Sequence, residues 1–165
     1  MEWSRKKILQ LVVFSFGMLF TCIYIQAQDW PKIYYDDIDA TITDMAEVYD
    51  NGYLLAGYTY NNVGWPQFDL ITKIDINGNL LWDKKFGNGN YSNGLSDLNL
   101  TIDNGMILAA GTSKYSGNYD PTFIKLDVCG EIEWCKVFQS PGQNYGNGIL
   151  QLADGSYIGL LEYYG

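Results

Sequence analysis

Trp30, Trp82 and Trp134 stand 52 residues apart at each step. Lys32, Lys84 and Lys136 keep the same interval, and an aromatic residue two positions further on (Tyr34, Phe86, Phe138) completes each copy. Internal periodicity of this length marks a repeat architecture in which each unit is one supersecondary structure. The recurrence extends beyond the tryptophans. The segments "DNGYLLAG" (50–57), "DNGMILAAG" (103–111) and "DGSYIGLL" (154–161) begin 53 and 51 residues apart. "LITKIDINGNLLWDKKF" (70–86) aligns without a gap on "TFIKLDVCGEIEWCKVF" (122–138), matching Lys73 to Lys125, Asp75 to Asp127 and Gly78 to Gly130. "NYSNG" (90–94) and "NYGNG" (144–148) form a third recurring piece.

Within one unit the local signals describe four strands: Asp44–Tyr49, Tyr53–Thr59, Gln67–Asp75 and Leu80–Phe86. Gly52, Gly78, Gly105 and Gly130 sit in the turns between them, where Asn-Gly pairs tolerate the positive φ of tight hairpins. No segment beyond residue 28 has an apolar period of 3.6, and turns arrive too often for helices of ordinary length. Each unit therefore reads as an antiparallel four-stranded meander. Sheets repeated at about fifty residues bury their faces by packing around an axis, so the expected fold is all-β, a partial β-propeller following an N-terminal signal helix.

The units read as a signal peptide (1–28), an N-terminal strand and linker (29–43), blade repeats at 44–95 and 96–146, and the start of a third at 147–165. Trp30–Tyr35 then repeats a fourth strand before any first strand, as when an N-terminal strand fastens a propeller ring. A ring takes about 4–8 blades, and residues 29–165 supply about two and a half at 52 each. The expectation is a fragment of a longer protein, or a piece that assembles with copies of itself through open blade edges.

Residues 1–28 carry Arg5, Lys6 and Lys7, an apolar run from Ile8 to Ile25, and the small Ala27 in "IQAQ", the order of a secretory signal. Cleavage is expected near Ala27 or Gln28, with a retained anchor as the alternative, and either outcome places the remainder outside the cytoplasm, secreted or at the cell surface. Without the signal, seven Lys and no Arg face eighteen Asp and Glu, a net charge of −11. Such a surface repels phosphate backbones and anionic headgroups, which excludes nucleic acid and membrane as partners. Cys129 and Cys135 lie six residues apart on one hairpin arm, about 20 Å at ~3.3 Å per residue, too far for a bridge between them.

The chain has no histidine, which removes the usual proton carrier of hydrolytic triads and leaves a weak case for zinc. Asp36, Asp37 and Asp39 are spaced like part of a calcium loop, but Ile42 stands where its glycine belongs. They read as a solvated linker, so no metal and no cofactor is expected. Asp50, Asp103 and Asp154 open turns, and Asp75 and Asp127 precede hairpins, a structural use of aspartate.

The pairing of "DNGYLLAGYT" with "KIDINGNLLWDKKFG" resembles the repeats of exported β-propeller proteins of Bacteroidota, many of which end in a type IX secretion sorting domain. The resemblance covers about residues 29–161 and implies architecture more than function. "KIDINGNLLW" and "KLDVCGEIEW" are also loosely similar to the tryptophan-docking repeats of quinoprotein dehydrogenases; on the propeller reading itself the tryptophan segment is the outermost strand of each blade, with Trp82 and Trp134 expected between blades. The Gly-Gly doublet of kelch repeats and the Gly-His of WD40 repeats are absent.

In a meander alternate connections emerge on one edge, so the long connections at 60–66, 87–95, 113–121 and 139–146 share a face. That face carries Tyr60, Trp65, Tyr91, Tyr115, Tyr119 and Tyr145 among asparagines. Amphipathic rings beside amides suit sugar rings or a protein partner. The expected function is non-catalytic binding of a protein or glycan; the alternative is part of a quinoprotein-like or glycan-active enzyme.

Overall fold

The computed structural model describes residues 32–34, 39–60, 66–87, 89–91, 93–115, 117–139 and 141–164. Residues 1–28, read above as a signal peptide, and Trp30, Asp36, Asp37 and Trp65 lie outside them. The described residues are all-β and form three antiparallel sheets. β1 (Ala40–Glu47), β2 (Tyr53–Tyr60), β3 (Pro66–Ile74) and β4 (Leu80–Phe86) make the first. β5 (Asn93–Leu100), β6 (Met106–Thr112), β7 (Asp120–Leu126) and β8 (Ile132–Val137) make the second, each in chain order. β9 (Asn144–Gln151) and β10 (Tyr157–Tyr163) make the third.

All five short connections share one geometry. In each, the first residue's N–H donates to the fifth residue's carbonyl and the fourth N–H returns to the first carbonyl, as in Val48 to Gly52 and Asp127 to Glu131. The fourth residue is left-handed: Asn51, Gly78, Asn104, Gly130 and Gly155. These are hairpins closed by a turn and a bulge rather than two-residue loops. At 50–52 and 103–105 the asparagine, not the glycine, carries the positive φ. Gly52 and Gly105 are required for another reason: an added Cβ would meet the carbonyl oxygens of Ile74 and Leu126 at 2.5 and 2.4 Å.

The aspartates of these turns have definite partners. Asp75 and Asp127 each accept two backbone N–H groups across their turn. Asp50 and Asp103 cap the neighbouring turns and reach a lysine of the third strand: Lys73 to Asp50 at 2.5 Å, Lys125 to Asp103 at 2.9 Å. Lys125 is 1% exposed and also pairs with Glu133 at 2.8 Å. Burial opposes its charge, but Glu133 and Asp103 outweigh that and hold its pKa above the ordinary value.

β1 begins at Ala40, β5 at Asn93 and β9 at Asn144, each three or four residues ahead of the repeat boundaries read from the sequence. The cause is a β-bulge in every first strand, at Thr43, Ser96 and Asn147. The bulged hydroxyls join sheets. Thr43 donates within its own sheet to Ala56 O and across to Leu95 O at 3.0 Å; Ser96 bonds Ala109 O and Gly146 O in the same way. The following carboxylates complete the link, Asp44 accepting from Leu98 N at 2.9 Å and Asp97 from Ile149 N at 2.8 Å. Inner strands β1, β5 and β9 are thus stitched in succession, and Gly148 takes the carboxylate's place in the third.

The second sheet is buried on both faces, which is why every residue of β6 and β7 is buried. Met106, Leu108, Ile124 and Leu126 meet Leu54, Ala56 and Ile71 of the first sheet, with Trp82 and Phe86 at the margin. Ile107, Ala109 and Phe123 meet Ile149 on the opposite side, with Trp134 and Tyr157 beside them. Trp82 lies against Gly130 of the second sheet, and Trp134 packs edge-on against Tyr157 of the third at 5.4 Å. Each tryptophan therefore bridges from the last strand of one sheet to the next.

Candidate binding face

Strands β2, β4, β6 and β8 end, and β3, β5, β7 and β9 begin, at the edge of the sheets opposite the five-residue turns, which is where the long connections read from the sequence would emerge. Of the six aromatic residues expected there, Tyr60, Tyr119 and Tyr145 are drawn into a half-buried group with Tyr58. Tyr58 and Tyr60 meet edge to face at 5.4 Å, and Tyr119 and Tyr145 lie 4.8 Å apart at a tilt of 32°. The pairs are neighbours. The Tyr58 hydroxyl is pushed up to about 12 by its hydrogen bond to Tyr60 first, then by burial and by the nearby Tyr60 and Tyr119. Thr41 donates to the Tyr60 hydroxyl and, with Tyr58, lowers its pKa.

Amides hold the second pair in place. Asn144 N donates to Tyr119 O at 2.9 Å, while Tyr119 N donates to Gln143 Oε1 and Gln143 to Asn118, both at 3.1 Å. Asn144 ties down three segments, donating to Pro141 O and accepting from Tyr164 N, each at 2.8 Å. Gly111 gives Tyr119 and Tyr145 their room, since an added Cβ would lie 3.0 and 3.1 Å from their rings. Tyr91 and Tyr115 are exposed, the latter with the Lys114 ammonium 4.9 Å from its ring centroid.

Beneath the tyrosines lies a group the sequence reading did not single out. Asp69 pairs in register with Tyr58 on β2 and Phe86 on β4, is 4% exposed, and has no hydrogen-bond partner at Oδ1. Burial pushes its carboxyl up to about 8, so it is neutral over most of the physiological range. Tyr58 was missed because strand alternation alone assigns it to packing.

The repeated "NYSNG" and "NYGNG" are not equivalent in space. The first strands superpose Asn93 on Asn144 and Ser96 on Asn147, which leaves Tyr91 in a loop and Tyr145 on a strand. Tyr145 is raised by burial and by the nearby Glu162. Trp82, Trp134, Gly52, Gly78, Gly105 and Gly130 belong to the sheet interfaces and tight turns rather than to this face. Cys129 and Cys135 are free thiols. Comparison with family models and with curated proteins finds no match.

Proposed function

We propose that the chain is a non-catalytic, exported module of propeller type that binds a glycan on its long-loop face. The carrying observation is the Tyr58, Tyr60, Tyr119 and Tyr145 group, two contacting ring pairs framed by amides of Asn118, Gln143 and Asn144. Aromatic faces cover the apolar face of a sugar ring, and neighbouring amides exchange hydrogen bonds with its hydroxyls. The propeller reading is supported by the successive stitching of β1, β5 and β9 and by sheets that pack face to face in chain order. Export is supported by the order of Arg5–Lys7, the apolar run and Ala27.

The test is a glycan array probed with the labelled chain, repeated with Tyr119→Ala and Tyr60→Ala. Binding to a coherent set of glycans, reduced about tenfold or more by either substitution, supports the reading, since a stacked ring is worth on the order of 1.4 kcal/mol or more. Absence of glycan binding together with capture of a protein partner by the same face would replace glycan with protein. Turnover of a glycan or quinone-dependent oxidation would replace the binder with an enzyme.

A further inference from the structure

Asp69 and the tyrosines belong to one face of the first sheet. On β2 the side chains of Leu54, Ala56, Tyr58 and Tyr60 share that face by alternation, and on β3 Lys73, Ile71 and Asp69 stand in register with the first three. Leu54, Ala56 and Ile71 belong to the core against the second sheet. Asp69 therefore occupies the row where that core gives way to the tyrosines. Strands β2 and β4 flank it, with Tyr58 and Phe86 as its direct neighbours, and the second sheet packs across from it. The side left for water is the long-loop edge, where Tyr58 and Tyr60 stand.

The carboxyl is 4% exposed, and its Oδ1 receives no hydrogen bond. β2 brings Tyr58 and Tyr60 toward it and β4 the apolar Phe86. On the second sheet Cys135 is in register with Ile124 and shares its face, and the buried Asp120 lies on the same face of β7. The Cys135 thiol is raised by burial first, then by the Asp69 carboxyl, and is lowered by Lys114. Tyr119 acts on Tyr58 in turn. Burial holds the Asp69 carboxyl up to about 8. With no protein donor at Oδ1, its ionised form depends on water for stabilisation.

We propose that ligand binding at the tyrosine face is linked to the protonation of Asp69: a glycan laid over Tyr58 and Tyr60 excludes the water that the carboxylate needs, so the face binds with Asp69 neutral and takes up a proton when Asp69 is ionised beforehand. This linkage rests on the glycan reading of that face. It is reciprocal, since a ligand weakened by ionisation must oppose ionisation by the same factor. Affinity is level below the titration of Asp69 and falls above it, with about tenfold per pH unit as the ceiling for one proton. The Cys135 thiol, raised from 9, and the Tyr58 hydroxyl, pushed up to about 12, titrate at higher pH. The Tyr60 hydroxyl is lowered from 10 by Thr41 and Tyr58, and variants at Asp69 separate its contribution.

The probe is an array of uncharged glycans, exposed to the labelled chain from pH 6 to pH 9 in half-unit steps. The strongest ligand is then titrated by isothermal calorimetry in buffers of different ionisation enthalpy, with near-ultraviolet circular dichroism confirming the native fold at each pH. The expected result is an affinity about three- to tenfold weaker at pH 9 than at pH 6, with uptake approaching about one proton per ligand at the upper end. Asp69→Asn, and Asp69→Leu as a second variant that cannot titrate, should bind with equal affinity across the range and take up no proton. Affinity in the parent that is unchanged across the range, or a loss at high pH that both variants retain, overturns the proposal and leaves the glycan reading standing. Absence of glycan binding at pH 6, where Asp69 is neutral, overturns the glycan reading and the linkage with it.

Discussion

Replacing Asp69 by Asn should stabilise the protein at neutral pH and destabilise it in acid. The carboxyl titrates near its ordinary 3.8 in the unfolded chain and at about 8 when buried against Tyr58 and Phe86. Below pH 3.8 both states hold the proton and burial has no electrostatic cost. As pH rises from 3.8 toward 8 the unfolded chain releases the proton and the native state keeps it, so stability falls with pH. At about 1.4 kcal/mol per pH unit the loss reaches about 4 kcal/mol at pH 7 and about 6 kcal/mol above pH 8, both upper bounds. Asparagine removes this titration but brings an NH₂ into a site with no partner for Oδ1, at about 1–3 kcal/mol. Asp69→Asn should therefore be less stable than the parent at pH 3.5 and more stable, by about 1–3 kcal/mol, at pH 7. Guanidinium denaturation followed by tryptophan fluorescence at several pH values measures this directly. Curves for the two proteins that run parallel across pH 3.5–8.5 would refute the burial of a neutral carboxyl at this position.

Asp97→Ala should cost about 1–2 kcal/mol through the lost bond to Ile149 N and should speed exchange of that amide in particular, as read by NMR. Lys125→Ala should cost about 2–3 kcal/mol, and Lys125→Met clearly less, because methionine restores the buried stem while Asp103 and Glu133 return to water; thermal melts of the pair decide it. Gly105→Ala should lower the melting temperature more than Gly94→Ala, because its Cβ meets Leu126 O at 2.4 Å whereas that of Gly94 meets open space. Equal shifts for the two glycines would contradict that reading.

The 52-residue interval carried the meander, its order and the location of Trp82 and Trp134, because a sheet that repeats must repeat the residues that join it to its neighbour. What it could not carry is set by single positions. Thr43-Asp44 and Ser96-Asp97 stitch the inner strands, yet they look like surface polar pairs, and Asn147-Gly148 breaks the pattern in the third copy. The residues ahead of each bulge, such as Asn93-Gly94 and Asn144, have loop composition although they pair as strand, since a bulge permits what a regular ladder disfavours. Within the Asn-Gly pairs, Asn51 and Asn104 take the left-handed position, and the glycines that follow are held by carbonyls packed against them. Asp69 could not be recognised from the chain, because an aspartate near the start of the Gln67–Asp75 strand carries no mark of burial, and only the register places it beside Tyr58 and Phe86.

The distribution of charge favours a neutral ligand on the tyrosine face. Asp44 and Asp97 serve the inner-strand links, Asp50, Asp75, Asp103 and Asp127 the tight turns, and Lys73, Lys84 and Lys125 are engaged by carboxylates. Those groups are tied to interfaces and to the edge away from the long loops. Beside the tyrosines stand Asp39, which acts on Tyr60, Glu162, which is engaged by Tyr164 and Asn147, and Lys114 over Tyr115. Asp69 beneath them is neutral near pH 7. Covering rings and amides removes less hydration than covering ions, so an uncharged sugar loses less on docking here than an anionic one would. An acidic glycan would meet Asp39 and Glu162 with Lys114 as the cation near Tyr115, and should bind more weakly as ionic strength falls.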